Sequence, residues 1–284
     1  MPKITYIDKR FRAPSLALIE QVEAIVERYE EQGYSLTLRQ VYYQLVAADV
    51  IPNSEKSYNN LGTLLSDARL AGMIDWYSID DRSRTRYAFR HYDSPDEALR
   101  ETARRYRIDL WEDQPYYIEV WVEKDALSDV VGQAASKYDV SYFACRGYVS
   151  QSAMWQAAQR FIREREEAHS CLLIYLGDHD PSGLDMSRDI TERLELFGAD
   201  VTLRRIALNF DQVERYSPPP NPAKVTDSRA EGYIRRFGHS SWELDALPPQ
   251  VIDKLITDEI RNYLDTVRYL RACDRQEEER KSIA

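Results

Sequence analysis

The sequence has few cysteines and lacks any long apolar run. Its three cysteines, Cys145, Cys171 and Cys273, are widely spaced and odd in number, which argues against a disulfide framework and a cysteine zinc site. No stretch approaches the roughly 18 consecutive apolar residues that a membrane-spanning helix requires. The N-terminal segment carries no apolar core of a secretory signal. We therefore expect no membrane association and a location in the reducing cytoplasm.

The composition is that of a globular protein with an uneven distribution of charge. The chain has 284 residues, 43% hydrophobic and 30% charged, which is enough for one large or two small domains. Its net charge of −10 argues against nonspecific coating of DNA. Residues 82–107 nevertheless contain eight arginines against four acidic residues, which fits one defined DNA track or a solvated helix face with ion pairs. The candidate DNA contacts at the start of this segment are Arg82, Arg84 and Arg86.

Three carboxylates follow two apolar runs of strand length. Glu123 comes directly after residues 117–122, and Asp178 and Asp180 come just after residues 171–176. Because ligands of open α/β sheets bind beyond the carboxyl ends of the strands, we expect these side chains to converge. Acidic oxygens suit Mg²⁺, which binds a few carboxylates together with water and phosphate oxygens. The pattern therefore predicts a magnesium site for phosphodiester chemistry.

The segment 178–183 also fits three other interpretations. An EF-hand loop is one, although an apolar strand precedes the segment where a helix is needed and Pro181 lies inside it. A phosphatase-type pair of aspartates is another, although such a pair usually follows the first strand of its domain. The simplest is a solvated turn between a strand and a helix.

The first third of the chain has the element order of a winged helix. Amphipathic helices are expected at 14–32, from the N-cap Thr37 onwards, and at 55–71. A strand at 73–79, a turn and a return strand at 85–89 would form the wing. The helix before a wing usually enters the major groove, and winged helices also serve as protein-interaction modules. The side chains of the third helix that could reach DNA are Asn59, Asn60 and Arg69.

Strands and helices alternate from residue 115 onwards. Strands are expected at 117–123, 140–145, 171–177 and 201–208, and helices at 125–137, 150–167, 183–197, 227–237 and 250–272. This alternation predicts a mostly parallel sheet with helices on both faces. The expected fold class is mixed α/β, with a winged-helix domain at 1–110 and a sheet domain with C-terminal helices at 111–284.

The second helix carries two adjacent tyrosines. At about 100° per residue, Tyr42 falls within the apolar stripe, together with Val41 and Leu45. Tyr43 falls outside that stripe, with Arg39 one turn earlier on the same side. We therefore expect Tyr42 in the core and Tyr43 exposed beside a guanidinium. A tyrosine in that setting could attack a phosphodiester, although most exposed tyrosines carry no chemistry.

Together these motifs resemble the A subunit of topoisomerase VI and the meiotic double-strand-break protein, which join a winged helix to a metal-binding toprim domain. The matching segments are Arg39-Gln-Val-Tyr-Tyr43, Val122-Glu-Lys-Asp-Ala126, Arg146-Gly-Tyr148, Asp178-His-Asp-Pro-Ser-Gly183 and Trp242-Glu-Leu-Asp-Ala-Leu247. The match runs from about Leu36 to Asp265 and depends on the order and spacing of short motifs. The compact chain is most similar to the stand-alone members called mini-A.

The resemblance implies a role for each matching residue. Tyr43 would become covalently linked to a 5′ DNA end with the assistance of Arg39, and Lys124 is a further candidate catalytic residue. The Mg²⁺ ligands would be Glu123, Asp178 and Asp180. In that family the tyrosine of one subunit meets the metal site of the other, which implies a homodimer on double-stranded DNA at the nucleoid. The chain has no GxxxxGK[ST] loop, so an ATPase like the topoisomerase VI B subunit would be a separate partner.

Three functions stay open on the sequence. The first is a type IIB topoisomerase A-like enzyme that cleaves and rejoins DNA. The second is a toprim nuclease that uses metal-activated water and leaves Tyr43 idle. The third is a protein that binds DNA or a partner without catalysis. A covalent protein–DNA adduct separates the first from the second, and metal-dependent nicking separates both from the third.

Overall fold

The first third of the chain forms the three predicted helices. The computed structural model describes residues 3–80, 91–167, 169–223 and 229–283. A two-residue strand, β1 (Leu36–Thr37), precedes the second helix, and the helices are α1 Ala13–Glu30, α2 Leu38–Ala47 and α3 Glu55–Leu70. Thr37 caps α2 in a reciprocal capping box with Gln40, and Ser54 caps α3. These caps satisfy the free amides of each first turn and set where the helix begins.

The predicted wing strand at 73–79 is wrong for most of its length. Only Ile79–Asp80 is extended, as β2, and it pairs in parallel with β1. The backbone before it turns instead, because the Asp75 carboxylate accepts the Tyr77 amide at 2.8 Å. The predicted return strand at 85–89 lies outside the described residues. The winged-helix assignment therefore stays a prediction.

The rest of the chain contains the predicted parallel sheet. After helix α4 (Pro95–Arg105) come the strands β3 Tyr116–Val122, β4 Ser141–Ala144, β5 Ser170–Leu176 and β6 Thr202–Ala207. Their order is β4-β3-β5-β6, and every pairing is parallel. The crossovers are a 3₁₀ turn Asp125–Leu127 with α5 Ser128–Ser136, then α6 Gln151–Glu166 and α7 Pro181–Leu196. The mixed α/β class is confirmed.

Helices cover both faces of the sheet. Val120 and Ile174 face one hydrophobic cluster, and Trp121 and Tyr175 face the other. Alternate residues of a strand point to opposite faces, so a strand buried on both sides reads as a continuous apolar run. This is why the runs that end at Val122 and Leu176 are so hydrophobic.

The C-terminal part returns to the N-terminal helices. Its elements are α8 Phe210–Tyr216, β7 Asn221–Pro222, α9 Ala230–Phe237, β8 Ser240–Ser241, α10 Pro249–Tyr263 and α11 Thr266–Ile283. The single helix predicted at 250–272 is wrong, because Gln114 binds the amide of Asp265 and interrupts it. Ala246 lies in the same hydrophobic cluster as the buried residues of α1–α3. Within the described ranges, no helix is both long and apolar enough to cross a membrane.

Candidate functional site

The carboxyl ends of β3 and β5 bring two of the predicted motifs together. The strands are neighbours in register, with Val122 opposite Leu176. Glu123 therefore lies beside the loop that follows β5, and its Oε2 accepts the amide of Asp178 at 2.9 Å. The sequence placed these residues at one sheet edge because parallel strands end on the same side.

Glu123 occupies space beside two glycines, Gly177 in this loop and Gly183 in the first turn of α7. A Cβ on Gly177 would lie 2.9 Å from Glu123 Oε2, and a Cβ on Gly183 would lie 3.1 Å from the same atom. The Gly183 Cβ would also lie 2.4 Å from the carbonyl oxygen of Asp178. These contacts are shorter than packed atoms tolerate, so glycine is required here for close approach.

Asp180 ends the loop and begins helix α7. Its Oδ1 accepts the amide of Gly183 at 2.6 Å, and Pro181 occupies the first turn. The chain enters this loop from the strand β5, where an EF-hand would have a helix. The EF-hand interpretation is therefore excluded by the element order.

The carboxylate of Asp178 is turned away from the other two. It accepts the amide of Leu244 at 2.8 Å and pairs with Lys124 Nζ at 2.9 Å. Burial raises the pKa of Asp178 to about 8, and Lys124 offsets this only in part. Burial, with the charge of Asp180, also raises the pKa of Glu123. Both carboxyl groups therefore hold a proton more readily than exposed carboxyl groups do.

The three predicted metal ligands do not form a closed cluster in this conformation. Among the described residues, the group whose ligand atoms all lie within 4.8 Å of one another is Glu164, Glu167 and His169, at the end of α6. There the His169 ring already contacts Glu164 on one side and the Glu112 carbonyl on the other. That group lies at the amino end of β5, whereas Glu123, Asp178 and Asp180 follow the carboxyl ends of the strands.

Two buried residues that sequence reasoning missed hold the loop in place. Arg205 on β6 donates to the carbonyls of Gly177, Asp178 and Gly183 at 2.6 to 2.9 Å. His179 is 1% exposed, lies 2.9 Å from the Tyr233 hydroxyl, and burial lowers its pKa to about 4. An arginine within a predicted strand and a histidine between two aspartates were the available signals.

The predicted exposure of Tyr43 is wrong. Its side chain is 3% exposed, as buried as that of Tyr42. The helical angle describes α2 alone, whereas a distant segment covers this side of the helix, and Asn221 donates to the Tyr43 hydroxyl at 3.2 Å. Arg39 does lie beside Tyr43, 5.8 Å from the ring centre. Burial and the charge of Glu243 raise the pKa of Tyr43 to about 12.

Two acidic residues of the late segment neutralise both candidate catalytic cations. Glu243 pairs with Arg39 and with Lys124. Asp245 is fully buried and lies 2.8 Å from Arg39 Nε and 3.1 Å from Lys124 Nζ. Burial would raise the pKa of Glu243, but the two cations outweigh it and lower the pKa to about 2. The N-terminal helices are thus tied to the sheet domain by charge.

One cavity of about 670 Å³ joins the two halves of the candidate site. Arg39 and Tyr43 of α2 line it on one side, and Asp178 and Asp180 line it on the other. Asn221 is a further lining residue, from the C-terminal segment. A tyrosine oxygen, a guanidinium and two acidic groups therefore face a space large enough for part of a nucleotide chain.

The predicted DNA contacts lie partly beside this cavity. Asn59 and Asn60 are exposed on α3, and Asn59 lines a shallow groove next to Tyr58, which also lines the cavity. Arg69 donates to the carbonyl of Ile79 and so contacts its own chain. The other three predicted contacts, Arg82, Arg84 and Arg86, lie outside the described residues.

Comparisons with known proteins add no relative to these observations. No family model, no curated protein and no solved structure matches the chain. The resemblance to the topoisomerase VI A subunit therefore stays a prediction carried by the motifs.

Proposed function

We propose that the protein is a Mg²⁺-dependent DNA transesterase that cleaves and rejoins DNA through Tyr43, as a type IIB topoisomerase A-like enzyme. The observation that carries this proposal is the shared cavity, where Tyr43 and Arg39 face Asp178 and Asp180. These residues come from motifs more than 130 positions apart in the chain. Their meeting at one cavity is what a phosphotyrosyl mechanism requires.

The reaction exchanges one phosphoester for another. The Tyr43 oxygen would bond to phosphorus, and the bond between phosphorus and the 3′ oxygen would break. The phenol proton would pass to solvent, and the leaving 3′ oxygen would take up a proton. Arg39 would offset the charge on the phosphate oxygens. The reverse attack by the 3′ oxygen would reseal the strand and restore Tyr43.

The donor set fits Mg²⁺. Glu123, Asp178 and Asp180 offer hard oxygen ligands at one sheet edge, and a bound cation would favour the ionised forms of Glu123 and Asp178, whose pKa values burial raises. These three side chains would hold the ion. Asp178 would give up its contact with Lys124 to bind it. A bound Mg²⁺ would supply positive charge near the phosphate.

The decisive test is a covalent adduct between protein and DNA. Purified protein is incubated with internally labelled supercoiled plasmid and Mg²⁺, and the reaction is stopped with denaturant. We expect labelled DNA to migrate with the protein, and Tyr43→Phe and Asp180→Asn each to abolish the adduct. Both variants should remain folded, which circular dichroism checks. Cleavage without any adduct would refute the transesterase.

The second candidate is a metal-dependent nuclease that uses activated water. The burial of Tyr43 favours it, because a phenol whose pKa is about 12 is protonated at neutral pH and hydrogen-bonded within its own chain. Such an enzyme would need Asp180 but not the tyrosine oxygen. Full cleavage by Tyr43→Phe in the plasmid assay would establish this candidate.

The partners of the proposed enzyme follow from the resemblance. They are double-stranded DNA at the nucleoid, a second copy of the chain and a separate ATPase subunit. If the tyrosine of one subunit serves the metal site of the other, a mixture of Tyr43→Phe and Asp180→Asn proteins should recover part of the cleavage. If the mixture recovers no cleavage, the complete active site lies within one chain, as the shared cavity allows.

A further inference from the structure

Asn221 lies at the centre of the polar contacts that surround the Tyr43 hydroxyl. Its Nδ2 lies 3.2 Å from the Tyr43 oxygen and 3.3 Å from Glu243 Oε1, and its Oδ1 accepts from Asn53 Nδ2 at 2.8 Å. These contacts link α2, the loop before α3 and the late acidic segment. One short side chain thus occupies the space between the two halves of the site.

The backbone around Asn221 holds this side chain in a defined position. Proline flanks it on both sides, which fixes one backbone angle of each neighbour. Asn221 also pairs with Ser241 in the antiparallel ladder of β7 and β8. The amide therefore needs little reordering to keep its contact with Tyr43.

The neighbours of the amide decide which way it faces. Glu243 can only accept hydrogen bonds when ionised, and its lowered pKa keeps it ionised at neutral pH. Asn53 Nδ2 can only donate, and it points at Asn221 Oδ1. The opposite orientation would set two oxygens against each other at Glu243 and two N–H groups against each other at Asn53. The NH₂ group therefore faces the tyrosine.

A neutral donor at this position has a specific chemical consequence. An N–H that donates to a phenol oxygen binds the anion more strongly than the neutral hydroxyl. Acidic groups surround the same cavity and oppose the anion, and Arg39 is ion-paired with two of them. The charged groups near the Tyr43 hydroxyl are Arg39, Glu55, Asp178, Asp180, Glu243 and Asp245.

We propose that Asn221 is a positioning residue that fixes the Tyr43 hydroxyl in the cavity and stabilises its anionic form. The inference rests on the proposed function for its catalytic meaning, because the anion is the attacking group in cleavage and the leaving group in rejoining. Asn221 contributes no charge, so it can donate to the Tyr43 oxygen and to Glu243 without replacing Arg39 in its ion pairs.

The test measures the tyrosine directly and needs no DNA. Replacing Tyr43 with 3,5-difluorotyrosine brings the phenol titration into an accessible pH range and provides a ¹⁹F signal. In buffer with a chelator, we expect Asn221→Leu to raise the pKa of the fluorinated phenol by about one unit, the value of one lost hydrogen bond. The exposed Asn262→Leu makes the same chemical change on α10 and should leave the titration unchanged.

Three further results bear on the inference. Asn221→Ala should raise the pKa as Asn221→Leu does, and it replaces the leucine variant if that protein does not fold. Asn53→Ala should raise it by less, because it only frees the amide to rotate. A titration in Asn221→Leu or Asn221→Ala identical to that of the parent protein would overturn the inference.

Activity provides a separate readout. If the parent protein forms the covalent adduct, Asn221→Ala should slow adduct formation roughly tenfold at neutral pH, with a smaller deficit at higher pH where the anion forms more readily. A deficit that does not vary with pH would assign Asn221 a purely structural role. If the parent protein forms no adduct, the proposed function fails. The ¹⁹F titration still tests the hydrogen bond between Asn221 and Tyr43.

Discussion

At the scale of single residues, the candidate site contains acidic and basic side chains that lie close together and are only partly paired with one another. Lys124 contacts Asp178, Glu243 and Asp245, and Arg39 contacts the last two. A buried carboxylate is stable only where such partners exist. The same crowding makes the loop after β5 sensitive to any added atom.

Replacing Gly183 with alanine should disturb this loop. The new Cβ would lie 2.4 Å from the Asp178 carbonyl oxygen, which belongs to the backbone and cannot move aside easily. We expect a loss of roughly 2 kcal/mol in the free energy of unfolding, as for other overpacked sites. Urea denaturation followed by circular dichroism measures it.

Gly232→Ala is the matched control for this substitution. Gly232 lies within α9, and a Cβ there meets nothing within 4 Å. Alanine favours a helix interior over glycine by about 1 kcal/mol, so this variant should be as stable as the parent or more stable. Equal stabilities of the two variants would contradict the close approach at Gly183.

At the scale of elements, an ion pair between a buried glutamate and a partly exposed arginine attaches helix α6 to strand β3. Glu119 is 2% exposed in the middle of the strand and accepts both Arg160 Nε at 2.9 Å and Arg160 Nη2 at 3.0 Å. Trp121 and Tyr117 donate to the same carboxylate. The glutamate is thus fully bonded where the pattern of an apolar strand would predict a hydrophobic residue.

Arg160→Met should destabilise the protein. It leaves the buried Glu119 charge without its cation, and because the Arg160 side chain is partly exposed and screened by solvent, we expect a cost of roughly 1 to 2 kcal/mol. In the double variant Glu119→Gln with Arg160→Met, the buried charge is gone, so part of that loss should return. Chemical denaturation of both single variants and the double variant completes the cycle. Additive effects would show that the pair is not coupled.

At the scale of the whole molecule, the buried His179 makes a contribution to stability that is lost in mild acid, while the raised pKa values of Asp178 and Glu123 contribute in the opposite direction. Burial holds the pKa of His179 at about 4, well below the value near 6.5 in an unfolded chain. Between these values the imidazole of the unfolded chain binds a proton that the folded protein does not, so the contribution of His179 to stability falls as the pH falls. From pH 7 to pH 4.5 this contribution is about 2.5 kcal/mol, and above pH 6.5 it disappears.

His179→Phe should weaken this acid dependence. Phenylalanine fits among the neighbouring rings of Phe210, Phe237 and Trp242 and cannot take up a proton. Its stability at pH 7 should be lower than that of the parent protein, because the contact with Tyr233 is lost, and this difference should shrink between pH 7 and pH 4.5. The exposed His239→Phe should keep the dependence of the parent protein. Denaturant titrations of the parent protein and both variants at pH 7 and pH 4.5 measure these free energies of unfolding.

DNA binding by this acidic protein should depend on its basic segment. Each phosphate contact adds about 0.9 to the slope of log affinity against log salt, so Arg82→Gln with Arg84→Gln should lower that slope by about 1.8. Affinity for a short duplex should fall several-fold at moderate salt. Lys254→Gln with Arg261→Gln, at two exposed positions of α10, is the control. Fluorescence anisotropy at several salt concentrations would reveal an unchanged slope if the segment does not contact DNA.

Local signals were enough for the elements that frame the site. The capping pair at Thr37 and the apolar runs that end at Val122 and Leu176 depend on neighbours in sequence, so helix α2 and the strands β3 and β5 could be predicted. The error at 73–79 arose because a single aspartate, Asp75, turned a chain segment of apolar and aromatic residues. Short-range side-chain bonds of this kind compete with periodicity.

The sequence by itself determined where Glu123, Asp178 and Asp180 lie, because a parallel sheet brings the ends of neighbouring strands to one edge. Only the tertiary structure decided how the site is closed. Tyr43 and Asn221 are 178 positions apart, and their contact depends on how the C-terminal segment folds back over α2. This folding of the C-terminal segment over α2 buries Tyr43. The contact of Asp178 with Lys124 and the pairing of Arg39 with Glu243 also follow from it. Helical periodicity describes one element at a time, whereas burial and charge pairing depend on which distant segment covers it.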